Sequence, residues 1–512
     1  NGAIPLGAKA AMGKARNAAT PSTRPSDKTG AAGFSFTCGL SAEGICIPLK
    51  IYLGLLAETL CQAPPTIKSI APPCRFRHVR AMNDQTSLKP RRVALELLGD
   101  VLKRHHPLDD ALASSKGFVQ LNVRDRAFVR HLVTTTLRRL GQIDDLIGNC
   151  LERPLPRKAI AVRDVLRLGI CQLLFARTPA HAAVDTAVTM LDGLGFANFK
   201  KLVNAVLRRI GRDGEKMLTT QDAARLNTPD WLWDSWRAAY GIDTCRAIAE
   251  AHLSEPPLDL SVARDPELWA DKLDATVLAT GSLRLKSGGA VTGLAGFDEG
   301  AWWVQDAAAA LPVSLLGDVS GQSVIDLCAA PGGKTAQLIS SGAQVTAVDR
   351  GKIRMKRLQE NLHRLNLEAE TIVADAIDWR PPEPVDAILL DAPCSSTGTI
   401  RRHPDVAQLK KPVDVEKLAN TQSRLLVAAT EMLKPGGRLI YCTCSLQPEE
   451  GGMRVAELLA GNAPVQREPI KAAEVGGMEE LITPHGDLRS LPQYLGDSGG
   501  MDGFYAARLI RV

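Results

Sequence analysis

No apolar run in this 512-residue chain is long enough to span a membrane. The best stretch, Ile45 to Leu60, is broken by Pro48, Lys50 and Glu58. No membrane partner is therefore expected. A basic field over the whole molecule is also missing. The formal net charge is +6, but residues 1–81 hold ten Lys/Arg against three Asp/Glu, leaving 52 basic against 53 acidic residues in the rest. A nucleic-acid surface would have to be a local patch. The eleven cysteines lack the even spacing of a secreted disulfide framework and the spacings of a zinc site. Those two absences argue against a stapled extracellular domain and against a metal, and a reducing, cytoplasmic compartment is expected.

The length implies two to four domains. Residues 1–81 are rich in Ala, Gly, Ser and Pro, poor in acids and without sustained periodicity. They read as a disordered or non-native extension with Met82 as the natural start; an organellar transit peptide has the same composition. From residue 83 to about 215 the pattern is helical. Val93, Leu95, Leu97, Leu98, Val101 and Leu102 form one apolar stripe, and Val165, Leu166, Leu168, Ile170, Leu173 and Leu174 form another. With Asp125-Arg126 and Asn204-Ala-Val-Leu-Arg-Arg209, this stretch resembles the NusB-type helical domain, an RNA-binding module. Arginines at 124, 126, 130, 138 and 139 suit phosphate contacts. Residues 216–306 read as a small α+β linking domain. Pro229 opens a helix whose Trp231, Trp233 and Trp236 are expected in a core, and Leu258–Val262 and Gly281–Leu285 alternate like short strands.

Residues 307–512 carry the chemistry. Val324-Ile325 leads into Asp326-Leu-Cys-Ala-Ala-Pro-Gly-Gly-Lys-Thr335 and then a helix. A strand, a glycine-rich turn and a helix bring backbone N–H groups close to a ligand. Gly333-Lys334-Thr335 suggests an ATPase phosphate loop, but that motif needs a glycine where Cys328 stands. The next strand ends in Asp349, placed to accept from a ribose diol, and a third ends in Asp375, suited to an exocyclic amine. A fourth, Ala387–Leu390, ends in Asp391-Ala-Pro-Cys394-Ser-Ser-Thr-Gly398, and a further apolar run leads to Tyr441-Cys-Thr-Cys444-Ser445. One acid after one strand is usually a helix cap. Acids ending three successive strands behind a glycine-rich loop describe an adenosine site. Two thiols beside it form a reaction centre for a pyrimidine base.

Cys328-Ala-Ala-Pro-Gly-Gly-Lys334, Asp391-Ala-Pro-Cys-Ser395, Thr443-Cys444-Ser445 and Asp502-Gly-Phe-Tyr-Ala-Ala-Arg-Leu509 resemble the S-adenosylmethionine-dependent RNA 5-methylcytosine methyltransferases. With the NusB-like stretch in front, the whole is similar to the RsmB (Sun/Fmu) family over roughly residues 85–512. The resemblance implies an α/β Rossmann-like domain with a seven-stranded, mostly parallel sheet, preceded by an all-α bundle and a small α+β insert. It implies S-adenosylmethionine as cofactor, held by Cys328, Ala329, Ala330, Pro331, Gly332, Gly333, Lys334, Asp349, Asp375 and Asp391. The substrate would be small-subunit ribosomal RNA, and the working form a monomer.

The chemistry explains the residue types. Carbon 5 of cytosine becomes nucleophilic only after a thiolate adds to carbon 6, and cysteine alone combines soft nucleophilicity with an adjustable pKa. Asp391 is the candidate for hydrogen-bonding N3, where charge develops. By the family pattern, Cys444 attacks and Cys394 assists release; the DNA cytosine methyltransferases attack from the Pro-Cys loop instead. Cys442 departs from the family's usual small residue. Arg401, Arg402 and His403 are placed to clamp RNA backbone near a base drawn out of its stack. A tRNA or DNA substrate, or a non-catalytic RNA-binding factor of this fold, is the alternative.

Overall fold

The structure is a computed structural model that describes residues 75–286 and 290–512, with side chains from Leu88 onward. The extension assigned to residues 1–81 lies outside the described residues except for its last seven. Those belong to a helix, Arg75–Arg104, that runs on through Pro90. Val93, Leu97, Leu98 and Val101 of the first apolar stripe are at most 4% exposed, while Leu95 and Leu102 flank them, half-buried. They share one core with helices Val123–Arg138, Leu140–Cys150, Ile160–Leu174, Ala180–Gly193 and Lys200–Leu218. Asn122 caps helix Val123–Arg138 by accepting from Asp125 N at 2.8 Å. Among the described residues, no helix is long and apolar enough to cross a membrane.

Helices Asp230–Tyr240 and Ile242–Ala251 follow. Trp233 and Trp236 are core residues, and Trp231 packs half-buried against the same cluster. A four-stranded antiparallel sheet then forms from β1 (Asp259–Val262), β2 (Ala275–Val277), β3 (Leu283–Leu285) and β4 (Trp302–Val304), in the order β2-β3-β1-β4. Asp306 caps the Ala-rich helix Ala307–Ser314 that leads into the last part of the chain.

The main sheet is built from β5 (Ser323–Leu327), β6 (Gln344–Asp349), β7 (Glu370–Val373), β8 (Val385–Asp391), β9 (Leu433–Thr443), β10 (Val465–Arg467), β11 (Leu488–Ser490) and β12 (Phe504–Arg511). Seven strands lie in the continuous order β10-β12-β9-β8-β5-β6-β7, and β11 adds an eighth beside β12. From β7 to β9 the ladder is parallel, and β12 runs antiparallel to β9. The central strands β5 and β8 are nearly continuous buried runs, while β7, at the edge, is only partly covered.

The chain moves outward from β5 through β6 to β7, then returns to lay β8 on the other side of β5. The strand order therefore reverses between β5 and β8, and open α/β sheets bind ligands at that crevice. The register sets Leu327 beside both Val348 and Leu390, and Asp391 beside Cys442. Cys328, Asp349 and Asp391 thus leave the sheet at one edge. Tyr441 to Thr443 remain in β9, so the second cysteine loop starts at Cys444 itself.

Three segments close tightly under that edge. Gly398 N donates to Cys444 O at 3.0 Å, and Gly503 N donates to Gly398 O at 2.9 Å. A Cβ on Gly398 would stand 1.9 Å from Gly503 O, so only glycine permits the approach. Gly398→Ala is expected to destabilise the protein by about 1–3 kcal/mol, read as a lower midpoint of urea unfolding.

Candidate active site

At the switch point lies a cleft of about 300 Å³, of a size that admits a small ligand. Its walls include Cys328, Ala330, Asp349, Asp375, Asp391, Cys394 and Cys444, which come from five separate strand ends. Ala329, Pro331, Gly332, Gly333 and Lys334 do not line it; they shape the turn behind it. Ala329 N donates to Val348 O and Gly332 N to Ala329 O. The Pro331 carbonyl accepts from Asn361, and Gly333 starts helix Gly333–Ser340.

Asp349 is nearly buried. Its Oδ1 accepts from Gly351 N at 2.8 Å, while Oδ2 takes Ala330 N at 3.3 Å and the Arg354 guanidinium at 3.3 Å. Asp375 is exposed, with Oδ1 accepting from Ile377 N at 3.0 Å. Lys334 Nζ donates to Asp391 Oδ2 at 2.8 Å, leaving Oδ1 free of that contact. Burial works against the ammonium of Lys334, but Asp391, with Cys442 and Cys444, outweighs it and holds the proton more firmly than usual. Beneath the loop, Asp326 accepts from Thr335 Oγ1 at 2.6 Å, and burial pushes its carboxyl up to about 7.

The two loop cysteines meet. Cys394 Sγ and Cys444 Sγ are 3.5 Å apart, both partly exposed on the cleft wall. The Cys394 S–H donating across that gap holds Cys444 below the usual thiol range, with help from Ser396 and Lys334 against burial; the same contact, then burial, pushes Cys394 up. Cys442, by contrast, is fully buried. Its Sγ is 3.8 Å from Asp391 Oδ1, and burial pushes its thiol well up, so it packs rather than reacts. Cys328 is pushed up to about 12 by burial and by Asp391, Asp349 and Asp326, which leaves it a neutral wall residue.

The expected basic clamp is corrected by its surroundings. Arg401 is 1% exposed, and its guanidinium is used up by Asp306 Oδ2 at 2.6 Å, Asp502 Oδ1 at 3.2 Å and Gly499 O at 2.8 Å. A side chain so enclosed joins chain segments and does not reach RNA. Arg402 pairs with Asp502 and keeps 29% exposure, and His403 Nδ1 lies 3.3 Å from Asp109 of the helical part. The arginine run is divided in the same way. Arg124 and Arg130 are exposed and Arg126 half-buried, but Arg138 turns inward to donate to Arg401 O at 2.8 Å, and Arg139 donates to Leu253 O at 3.0 Å.

Arg350, Arg354, Ala376, Ile377, Ser396, Thr421 and Leu425 are also among the cleft walls. Thr421 and Leu425 sit on helix Pro412–Glu431, far from any motif, and no sequence signal marks them. Arg354 has a weak one, its place in the helix right after the Asp349 strand.

Comparison with known proteins is consistent across the chain. A family model described as 16S rRNA methyltransferase RsmB/F matches residues 313–510, and a NusB family model matches residues 88–212. Ribosomal RNA small subunit methyltransferase B of Shewanella oneidensis is 36% identical over 437 residues, spanning 82% of this chain and 99% of the relative. Its namesake from Pseudomonas putida is 36% identical over 444 residues, 83% of this chain and 99% of its own. Among solved structures, that of PH0851 superposes with a TM-score of 0.65 at 23% identity, covering 82% of this chain and 98% of that one; it shares the fold.

Proposed function

The chain belongs to the RsmB/F family of 16S rRNA methyltransferases, and from that membership we propose that Cys444 adds to carbon 6 of a cytosine in 16S rRNA so that carbon 5 takes a methyl group. S-adenosylmethionine supplies that methyl as an activated sulfonium substituent. The observation that carries the reading is the thiol pair, 3.5 Å apart, on the wall of a cleft that also presents Asp349, Asp375 and Asp391.

The cleft suits the nucleoside part of the donor. Asp349 is the acceptor for the ribose diol and Asp375 for the base amine, with Cys328, Ala330, Val348, Ala374 and Leu425 as close walls. Asp349→Ala is expected to raise the dissociation constant for S-adenosylmethionine about 10–100-fold, the worth of one or two hydrogen bonds to a charged group, as read by titration calorimetry.

The remaining steps fall to this chain's own groups. Cys444 is the thiol held down toward its nucleophilic form. Asp391, with Oδ2 anchored by Lys334, passes a proton to N3 of the base as negative charge develops there. After transfer Asp391 takes back the N3 proton, the carbon-5 proton leaves to solvent, and the carbon–sulfur bond breaks with its electron pair on Cys444; the Cys394 thiol assists by donating a hydrogen bond to the departing sulfur. The helical part binds RNA through exposed residues such as Arg124, Arg208 and Arg209. The enzyme works as a monomer in the cytoplasm.

Incubation with S-adenosylmethionine carrying a labelled methyl should place the label in 16S rRNA, and bisulfite mapping should show one protected cytosine in cells that hold the protein and none in cells that lack it. Label in tRNA, or in no RNA, would overturn the reading.

A further inference from the structure

Glu450 is fully buried six residues beyond Cys444, in a short turn after β9. All four of its hydrogen-bond donors are uncharged. Oε1 accepts from Ser395 N at 2.8 Å and Gln422 Nε2 at 3.2 Å; Oε2 accepts from Ser445 Oγ at 2.6 Å and from Ser395 Oγ. A buried carboxylate with no cation beside it is costly, and an apolar group would serve packing better. Its placement accounts for that cost. Ser395 follows Cys394 and Ser445 follows Cys444, so one carboxylate spans the two residues next to the two thiols. Its own carbonyl oxygen accepts from Tyr441 OH at 2.8 Å and Thr443 Oγ1 at 3.1 Å, which fixes it to the end of β9.

We propose that Glu450 is a positioning residue for methyl transfer: its carboxylate ties the Cys394 and Cys444 loops together at the spacing where one thiol donates to the other. This rests on Cys444 and Cys394 being the reacting pair. A second effect goes with the first. The contact with Cys444 and burial already oppose ionisation of Cys394, and charge on Glu450 adds to them. Ser395 and Ser445 are both completely buried with their hydroxyls 3.1 Å apart, and Ser445 Oγ also accepts from Gln447 N at 3.0 Å, which leaves its own proton for the carboxylate. An amide in place of the carboxylate would put a donor against groups that already donate.

The test compares full-length wild type with Glu450→Gln for kcat on rRNA, for S-adenosylmethionine affinity, and for iodoacetamide alkylation of Cys444 relative to Cys394, read by peptide mass spectrometry without RNA. The expected result is a kcat lower by about 100-fold, donor affinity within about twofold, and a Cys444-to-Cys394 alkylation ratio about tenfold closer to unity, the effect of one pKa unit. An unchanged kcat and ratio, or a donor affinity that falls in step with kcat, would overturn the proposal. Should Glu450→Gln not fold, Ser395→Ala and Ser445→Ala each remove one arm of the tie; both behaving as wild type overturns it equally. Because alkylation needs no RNA, a shifted ratio in an enzyme that methylates nothing would count against the function reading and leave the tie standing.

Discussion

Cys444→Ala is expected to lower methyl transfer by on the order of 10⁴-fold or more and to abolish the protein–RNA adduct on denaturing gels. Cys394→Ala should instead leave RNA stuck to the protein. The asymmetry comes from the thiol pair. Only one proton can lie between two sulfurs 3.5 Å apart, and Lys334 favours the ionised form of Cys444. Removing Cys444 deletes the group that breaks the aromaticity of the ring, and no nearby atom replaces it. Cys442 is buried, with its thiol pushed well up, and Cys328 lies neutral on the wall. Removing Cys394 takes away the S–H that helps ionise Cys444 and so slows the attack, but it leaves the attacking sulfur in place and stalls the elimination, so the adduct accumulates. An adduct that survives Cys444→Ala and vanishes with Cys394→Ala would exchange the two roles.

The second large effect belongs to stability. Arg401→Ala is expected to cost roughly 3–5 kcal/mol, because it takes the hydrogen-bonded counter-ion from buried Asp306 and leaves buried Asp502 to Arg402 alone. Asp306 and Asp502 are 4% and 1% exposed. Asp306 also caps a helix and accepts from Asp502 N at 3.0 Å, so neither acid can move out to water. Arg402 reaches Asp502 but lies 3.9 Å from Asp306. Arg401→Lys should recover little of the loss, since one ammonium cannot serve Asp306, Asp502 and Gly499 O in their separate directions. Urea unfolding with an unchanged slope would measure the difference; a midpoint like that of wild type would show that the buried network contributes nothing.

The contrast between these two sites shows what a sequence discloses. Asp349, Asp391, Cys394 and Cys444 were legible because each ends a short apolar run, and a parallel sheet sends every such end to the same edge. The turn from Cys328 to Lys334 was legible as a unit, although only Cys328 and Ala330 face the cleft. Arg401 misled because an Arg-Arg-His run looks like a surface patch when read along the chain. Its partners stand 95 and 101 residues away, and nothing local announces them. Glu450 was hidden for the same reason: an acid in a Pro-Glu-Glu turn reads as solvated until Ser395, from another loop, is folded onto it. The eighth strand, β11, is three residues long and too short for alternation to reveal.

One joint has a mechanical meaning. Seven residues past Cys394 the chain enters the segment from Arg401 to Asp405. The helical part grips that segment three times: Arg138 donates to the Arg401 carbonyl, Asp109 meets His403, and Leu108 N donates to Asp405 Oδ2 at 2.9 Å. The stretch that follows Cys394 is therefore held not only by its own sheet but by the helices in front of it, so a shift of those helices would be felt seven residues from the cleft.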